Sequence, residues 1–499
     1  MEGRNEHNSY EHILKYTGLF GGVQGLNIFI GLVRNKLVAL ILGPAGMGLV
    51  SLFSSTAAFI NNATNLGLPY SAVKTLSEIY ERDDREAVAR HVLTIRTLAL
   101  ITALVGMLIC LASSSLIDHF AFSWGNHSRH FALLAPIVGM TAVTGGETAI
   151  LKALRRLRSL AAVSVINVLA ALIISIPIYY MYGESGILPV LTLMAFTQMA
   201  LTLRATGRLL PYRVSVRQGM LTDGREMVRL GIAFLFSGFF SSGADFVIRS
   251  FLNNNADLNV VGLFNAGFML TTVYAGMVFS AMETDFFPRL SAVNHDRDAC
   301  NLIINRQIEV SLLLIAPMLT ALMVMMPVIV PLLYTERFVP VVSMAQITIL
   351  ALYLRAMKLP VAYLTIAKAD SRAFLVLEAY SAVVMIAAVS GGYLLFGLDG
   401  TGWGLLITGL IDIVVINLFA RFKYGYRTAR PVVTTAALHL PVALIAFFVV
   451  HGRSCSAALP AGLACCAVSV FISVWLLRKK TKLWNRLKER VVGMVKKIC

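Results

Sequence analysis

Five basic side chains lie inside long apolar stretches, where their charge could bind an anion. They are Arg34, Lys36, Arg249, Arg355 and Lys358. A cation at bilayer mid-depth costs roughly 2.5–3.5 kcal/mol, so such residues ordinarily face a protein interior or a water-filled cavity. Arginine also suits phosphate, because its planar guanidinium donates two parallel hydrogen bonds. The pattern therefore predicts a cationic cavity for an anionic ligand.

Plainer interpretations stand beside this one. Arg34 and Lys36 precede Gly43-Pro44 by about two helical turns and could extend toward the membrane surface. Arg249 lies close to the polar segment NNNADLN and could sit at the interface. Asp245 is four residues before Arg249, on the same helical face, and could neutralise it.

Acidic residues inside apolar stretches are candidates for coupling transport to H⁺ or Na⁺. The candidates are Asp245, Glu147, Glu378 and Asp412. Glu147 has a structural alternative, an ion pair with Lys152 or Arg155. The six cysteines show no metal or disulfide spacing, and no cofactor or metal is expected.

Composition predicts an all-α polytopic membrane protein. Of the 499 residues, 57% are hydrophobic, and the mean hydropathy is +0.75. A bilayer-spanning helix needs about 20 mostly apolar residues. The sequence offers about fourteen such stretches, at residues 16–42, 47–69, 92–113, 131–151, 160–181, 186–204, 229–252, 260–283, 308–333, 341–367, 373–396, 401–420, 432–450 and 457–477.

The basic residues predict the orientation of these helices. Among 43 lysines and arginines, only Arg129, Arg337 and Arg453 fall in the odd-numbered connections. Because cytoplasmic loops are enriched in Lys and Arg, both termini and all even-numbered connections are expected in the cytoplasm. The net charge of +17 then reflects topology, and nucleic acid is not an expected partner.

The basic C-terminal tail has two open interpretations. Trp484, Leu487, Val491 and Val495 share one face of a predicted helix, which could lie on the anionic inner leaflet. The alternative is a simple positive-inside anchor.

An internal repeat relates the two halves at an offset of about 214 residues. Gly48-Leu49 returns as Gly262-Leu263, Asp84 as Asp298, and Arg34 as Arg249 at an offset of 215. An even number of spans per repeat keeps both in one orientation. We therefore expect lobes of six helices at residues 1–215 and 216–430, followed by two added helices and the basic tail at 431–499.

Several functional classes lack their sequence signatures. The chain has no Walker A motif, no HExxH and no GxGxxG after a strand. The longest connections have about 25 residues, which is too few for a catalytic domain. An enzyme is therefore not expected.

The segment GLFGGVQGLNIFIGLVRNKLVALILGPAGMGLVSLFSS, followed by NLGLPYSAVKTLSEI, resembles the Wzx-type polysaccharide and O-antigen flippases. These belong to the multidrug/oligosaccharidyl-lipid/polysaccharide (MOP) superfamily. The resemblance implies two six-helix lobes in a V and alternating access. It also implies an undecaprenyl-diphosphate-linked oligosaccharide as substrate, moved from the cytoplasmic to the periplasmic leaflet of the bacterial inner membrane. The related lipid II flippases carry an Arg-Asp pair where this chain has Arg34-Asn35, so the arginine carries over and the aspartate does not.

The resulting hypothesis is a flippase whose substrate contacts are Arg34, Asn35, Lys36, Arg249, Arg355 and Lys358. Polysaccharide polymerases or glycosyltransferases are expected partners, with which the chain would form an assembly. The rivals are a MATE-type multidrug or cation antiporter, which would need an acidic cavity, and a membrane-embedded glycan polymerase or ligase.

Overall fold

The computed structural model describes residues 2–82, 84–122, 127–214, 220–451 and 455–480, and these ranges are almost entirely helical. The amphipathic helix predicted around Trp484 lies outside the described residues. The helices are α1 (Glu2–Thr64), α2 (Leu68–Glu81), α3 (Arg85–Ala121), α4 (Ser128–Ala132), α5 (Ala135–Ala153), α6 (Leu157–Tyr182), α7 (Ile187–Gly207), α8 (Met220–Asn255), α9 (Leu258–Phe268), α10 (Tyr274–Ala292), α11 (Arg297–Leu333), α12 (Val341–Ala367), α13 (Ser371–Tyr424), α14 (Arg430–Val450) and α15 (Cys455–Lys480).

Within these ranges, nine continuous helical stretches are long and apolar enough to cross a membrane. Four of the nine contain a break in the helix; one is Ser128–Ala153, which turns between α4 and α5, and the other three are longer. α1 is broken at Gly43, the stretch 157–207 turns at Gly183–Gly186, and α13 is broken at Phe396 and Gly397. The chain is therefore an all-helical, multi-pass membrane protein, as predicted.

The chain divides into two compact units. The first unit comprises Met1–Gly262 with Leu333–Arg337, and the second comprises Leu263–Leu332 with Phe338–Cys499. The division into lobes at residue 215 that the repeat suggests stays a prediction.

One apolar core of the first unit lies between α2, α3 and α5. In the short helix α2, Leu68, Ala72 and Leu76 recur every four residues and are buried. They pack with Ile95 of α3 and Ile150 of α5, among others. This spacing gives an apolar stripe on one face of α2, which explains why a short helix is retained beside long ones.

In the second unit α13 is a helical hairpin held together by glycines. A Cβ at Gly392 would lie 2.1 Å from the carbonyl oxygen of Gly400, and a Cβ at Gly400 would lie 1.8 Å from that of Gly392. One turn further along, a Cβ at Gly404 would lie 2.4 Å from the carbonyl oxygen of Ala388. Small residues thus allow the two arms to approach backbone to backbone, as in other membrane helix pairs.

The internal repeat is present in the backbone at an offset of 214 residues. Gly183 has φ 57 and ψ −132, and Gly397 has φ 60 and ψ −140. Two of the three described non-glycine residues with positive φ, Arg155 (54) and Ala369 (53), have the same spacing. The hydrogen bonds around them also correspond, because Arg156 N–H donates to Leu151 and Asp370 N–H donates to Thr365. The helix pair 157–207 and the hairpin α13 therefore have the same backbone conformation before the first arm and at the turn between the arms.

Equivalent residues of the two repeats also contact each other within the first unit. A Cβ at Gly48 would lie 2.0 Å from the carbonyl oxygen of Leu258, and a Cβ at Gly262 would lie 1.8 Å from that of Pro44. Pro44 and Leu258 are also 214 positions apart, so this contact is reciprocal between equivalent residues. A local twofold axis produces this pattern.

One repeat match from the sequence is shifted. Asp84 caps α3 by accepting from the Ala87 N–H, and the repeat predicts Asp298 as its counterpart. The residue that caps α11 is Asp296, which accepts from the N–H groups of Asp298 and Ala299. The loop before α11 is therefore two residues shorter than a constant offset implies.

The α13 contact predicts different effects of alanine at two adjacent glycines. Gly392→Ala should lower the free energy of unfolding by about 1–3 kcal/mol, because its methyl group overlaps the opposite backbone. Gly391→Ala is the matched control, since no atom lies within 4 Å of its Cβ position. It should be neutral or slightly stabilising because alanine favours helix. Thermal unfolding of both purified variants in detergent measures the difference, and equal melting temperatures would contradict the packing account.

Candidate functional site

Arg34 lies in α1 against α6 and α7. Its Nε donates to the Ser175 hydroxyl at 3.1 Å, and one terminal nitrogen lies 3.5 Å from the Met194 sulfur. The fully buried Tyr179 of α6 is an electrostatic neighbour of the guanidinium. Within the described part of the chain, Arg34 therefore contacts neutral groups and has no carboxylate partner.

Further polar groups lie between α1 and α6. Asn27, two turns before Arg34, donates to the Ser164 hydroxyl of α6 at 2.7 Å. The buried Asn27 carbonyl oxygen has no partner among the described residues. The α1–α6 contact therefore combines an unneutralised guanidinium with spare hydrogen-bonding capacity.

Arg249 of α8 is already neutralised. Its guanidinium lies 3.1 Å from the Asp245 carboxylate and donates to the Ser51 hydroxyl at 2.8 Å. The residue is 5% exposed. The pairing with Asp245, one of the alternatives open from sequence, is therefore the arrangement in this structure, and Arg34 and Arg249 have different partners.

Lys36 and Asn35 lie beside Arg34 on α1. The Lys36 ammonium donates to the backbone carbonyl of Tyr334. Both residues are half-buried. Because Lys36 caps the carbonyl end of a neighbouring segment, part of its charge is offset by a backbone dipole.

In the second unit, Lys358 and Asp412 form an ion pair. The Lys358 ammonium lies 2.5 Å from Asp412 Oδ2, and the Ser381 hydroxyl donates to the same oxygen at 2.8 Å. Asp412 is 2% exposed, yet its Oδ1 atom has no hydrogen-bond partner among the described residues. A predicted substrate contact and a predicted coupling residue thus form one cluster joining α12 to both arms of α13.

The two remaining predicted residues of this unit lie on the same helices. The Arg355 guanidinium carbon is 5.5 Å from the centroid of the Phe279 ring, a cation–π arrangement. Glu378 is half-buried on the first arm of α13, one turn before Ser381. Arg355 and Lys358 are three residues apart and lie on adjoining parts of the α12 surface.

Glu147 has a different partner from those predicted. It pairs with Arg96 of α3 at 2.8 Å, and both side chains are 2% exposed. Arg155 instead pairs with Glu81 at the surface, and Lys152 is exposed. From sequence, Arg96 groups with Lys74, Arg82, Arg85 and Arg90 in the basic connection after the second apolar stretch, although it lies just inside stretch 92–113. The structure places it inside the protein.

Arg96 also organises the connection after α7. It donates to the carbonyl oxygens of Pro211 at 2.8 Å and Leu210 at 3.4 Å, and lies over the Tyr212 ring. Burial raises the pKa of Tyr212, and the Glu147 charge adds to that rise. The sequence signal that could have identified this residue is its four-residue spacing from Val92 and Leu100 on the apolar side of α3.

The fold is that of MOP superfamily transporters. The structure is similar to an inward-facing multidrug resistance MATE family transporter of the MOP superfamily, with a TM-score of 0.67, 15% identity, and coverage of 80% of this chain and 94% of that one. It is similar to the lipid II flippase MurJ in an inward closed conformation, with a TM-score of 0.69, 12% identity, and coverage of 92% and 99%. An outward-facing MATE transporter matches with a TM-score of 0.60, 16% identity, and coverage of 81% and 93%. At identities of 12–16%, these structural matches show likeness of fold alone.

The family follows from the sequence. A family described as polysaccharide biosynthesis protein matches residues 37–343, more than half of the chain. The chain belongs to that family, which confirms the resemblance seen in the N-terminal segment. No curated protein matches the sequence.

The Lys358–Asp412 pair predicts a non-additive mutant series. Lys358→Met alone should lower the free energy of unfolding by about 3–5 kcal/mol, because it leaves a buried carboxylate unpaired. The double variant Lys358→Met/Asp412→Leu should recover most of that loss. Thermal unfolding in detergent measures all three proteins, and strictly additive losses would show that the two side chains act independently.

Proposed function

We propose that the chain is a flippase that moves an undecaprenyl-diphosphate-linked oligosaccharide from the cytoplasmic to the periplasmic leaflet of the inner membrane. The family supports a role in polysaccharide biosynthesis. The fold supports membrane transport without chemical conversion of the substrate. An O-antigen unit or a similar envelope polysaccharide unit is the substrate that we infer.

The observation that carries this proposal is the unneutralised charge of Arg34. Among the described residues, the buried arginines Arg96 and Arg249 each have a carboxylate partner, as does Lys358. Arg34 has neutral partners instead. A guanidinium inside a membrane helix gains most from an anion that arrives with the substrate, and a diphosphate supplies two adjacent phosphate groups for its parallel donors.

The other predicted contacts belong to the same proposal. Lys36 and Asn35 flank Arg34 on α1. Arg249, Arg355 and Lys358 would bind phosphate or glycan after exchanging their present partners, which makes their contribution conditional on a conformational change. Such exchange suits alternating access, in which a central site is exposed first to one side and then to the other.

The proposed topology has fourteen spans. This number starts from the nine apolar stretches, of which α1, 157–207 and α13 each count as two spans because of their breaks. It then adds α8 and α9–α10. Six spans in each repeat and two C-terminal spans, α14 and α15, complete the arrangement. Both termini and the basic connections then face the cytoplasm. We propose that the repeats form the two lobes of a V, with the lipid tail remaining in the bilayer.

Asp412 is the proposed coupling residue. A proton on its carboxylate would cancel the charge that holds Lys358 and free the ammonium for the substrate. The oxygen without a hydrogen-bond partner among the described residues is where that proton would add. Asp245, Glu147 and Glu378 stay candidates, and Glu147 is disfavoured because both of its oxygens accept hydrogen bonds from Arg96.

Translocation in sealed proteoliposomes tests the proposal. Arg34→Gln should reduce flipping of the lipid-linked oligosaccharide at least tenfold, since the variant removes the anion contact. Arg34→Lys should retain part of the activity because it keeps the charge without the paired donors. The control is Arg129→Gln, which removes an exposed arginine in an odd-numbered connection. Full activity of folded Arg34→Gln would refute the role of this residue.

A second assay tests coupling. An imposed pH gradient should accelerate flipping by the wild-type protein, and Asp412→Asn should remove that acceleration. Glu378→Gln tests the other coupling candidate on the same helical hairpin and should keep the acceleration if Asp412 is the coupling residue. If Asp412→Asn still responds to the gradient, the proton or ion acts elsewhere.

The multidrug antiporter is the second candidate, because MATE transporters share the fold. It would bind cations, which an unneutralised arginine repels. Resistance profiles of cells expressing the chain distinguish the two functions, since a flippase confers no drug resistance. The polymerase or ligase rival would require catalytic groups in an extramembrane loop.

A further inference from the structure

A cavity of about 270 Å³ lies at the start of α3, outside the residues assigned to the transport site. Its walls are the first turns of α3 and the connection after α7. Ligand cavities run from roughly 300 Å³ upward, so this space suits a small head group. Three arginines line it, Arg90, Arg96 and Arg213, together with a single glutamate, Glu86.

The three arginines have different roles in this cavity. Arg96 is buried, neutralised by Glu147 and bonded to the carbonyl oxygens of Leu210 and Pro211, so it fixes the back wall. Arg90 and Arg213 are exposed at the mouth. Neither has a carboxylate partner in the part of the chain that the structure describes. With Arg96 balanced, two positive charges face one negative charge, which favours an anion.

An apolar track leads away from the cavity along α3. Leu93 lines the cavity, and Leu100, Leu104, Leu108 and Leu111 follow at helical spacing on the same face. These four are 36%, 49%, 65% and 50% exposed. An exposed leucine stripe on a membrane helix faces lipid chains. A charged head-group cavity followed along the same helix by such a stripe matches the layout of a lipid with an anionic head.

We propose that this cavity binds the phosphate of a membrane lipid, with Arg90 and Arg213 contacting the phosphate and the acyl chains lying along the α3 leucines. Two sources share this chemistry, namely an acidic phospholipid of the bilayer and the polyprenyl diphosphate of the transported substrate. The orientation proposed above places the site at the inner leaflet. The binding itself does not depend on that orientation.

Because Arg96 joins α3, α5 and the α7–α8 connection, a phosphate at this site would add one more tie between them. The bound lipid should therefore stabilise the protein against heat by mass action.

The test is thermal unfolding of the purified full chain in a neutral detergent. Phosphatidylglycerol should raise the melting temperature in a saturable way, whereas zwitterionic phosphatidylcholine should not. Arg90→Gln/Arg213→Gln should need at least tenfold more phosphatidylglycerol for half of the effect. The control Arg208→Gln removes a nearby exposed charge outside the cavity and should behave as wild type.

Two further ligands identify the source. Preference for undecaprenyl diphosphate over phosphatidylglycerol by tenfold or more assigns the site to the substrate, and equal binding assigns it to resident lipid. Inorganic pyrophosphate that reproduces the whole shift would overturn the lipid proposal, as would equal responses of the double variant and wild type.

If the double variant fails to fold, the single variant Arg213→Gln in the connection after α7 replaces it, with the same expected weakening. No flipping is measured in these experiments, so their failure is distinct from failure of the proposed transport function.

Discussion

The high cost of charge inside a membrane governs this structure. Arg96, Arg249 and Lys358 are each matched by a carboxylate, and the partner is supplied by another helix or by the adjacent turn of the same one. Neutralisation therefore also connects elements, since Glu147 ties α5 to α3 and Asp412 ties the second arm of α13 to α12. Buried hydroxyl and imidazole groups follow the same rule, as His439 of α14 bonds Ser469 and Ser473 of α15. Arg34 departs from it.

The repeat determines which parts of the fold are alike and which are free to differ. The turns at Arg155 and Ala369, and those at Gly183 and Gly397, have the same backbone conformation. The partners of the charged groups do not repeat. Arg34 contacts neutral groups, whereas Arg249 pairs with Asp245.

The Lys358–Asp412 pair likewise has no charged counterpart in the first repeat. The positions 214 residues earlier hold Thr144 and Gln198, which are both neutral. A duplicated scaffold thus carries two different sets of polar residues, which allows the halves to take separate roles.

Much of the architecture could be predicted from sequence because the signals are strong. Apolar stretches of membrane length and the turns between them predict most helix positions. Gly43 and Pro44 correctly predict the break in α1. The partners of charged residues were harder. Glu147 was expected to pair within its own helix or the next loop, yet its partner is 51 positions away on α3. Helical spacing reveals neighbours on one helix, such as Asp245 and Arg249, and contains no information about which helices pack together. The cavity beside Arg90 depends on such packing and was missed for the same reason.

The reciprocal contact between Gly48 and Gly262 has a consequence for the origin of the chain. Each glycine meets the carbonyl four positions before the other, so both sides of the contact are built from the same local motif. A half-length ancestor carrying that motif once could pair with a second copy of itself through the same atoms. Fusion of two such genes would make this intermolecular contact intramolecular without requiring a new interface. Each half could then mutate alone, and a charge such as Arg34 could lose its counterion on one side only.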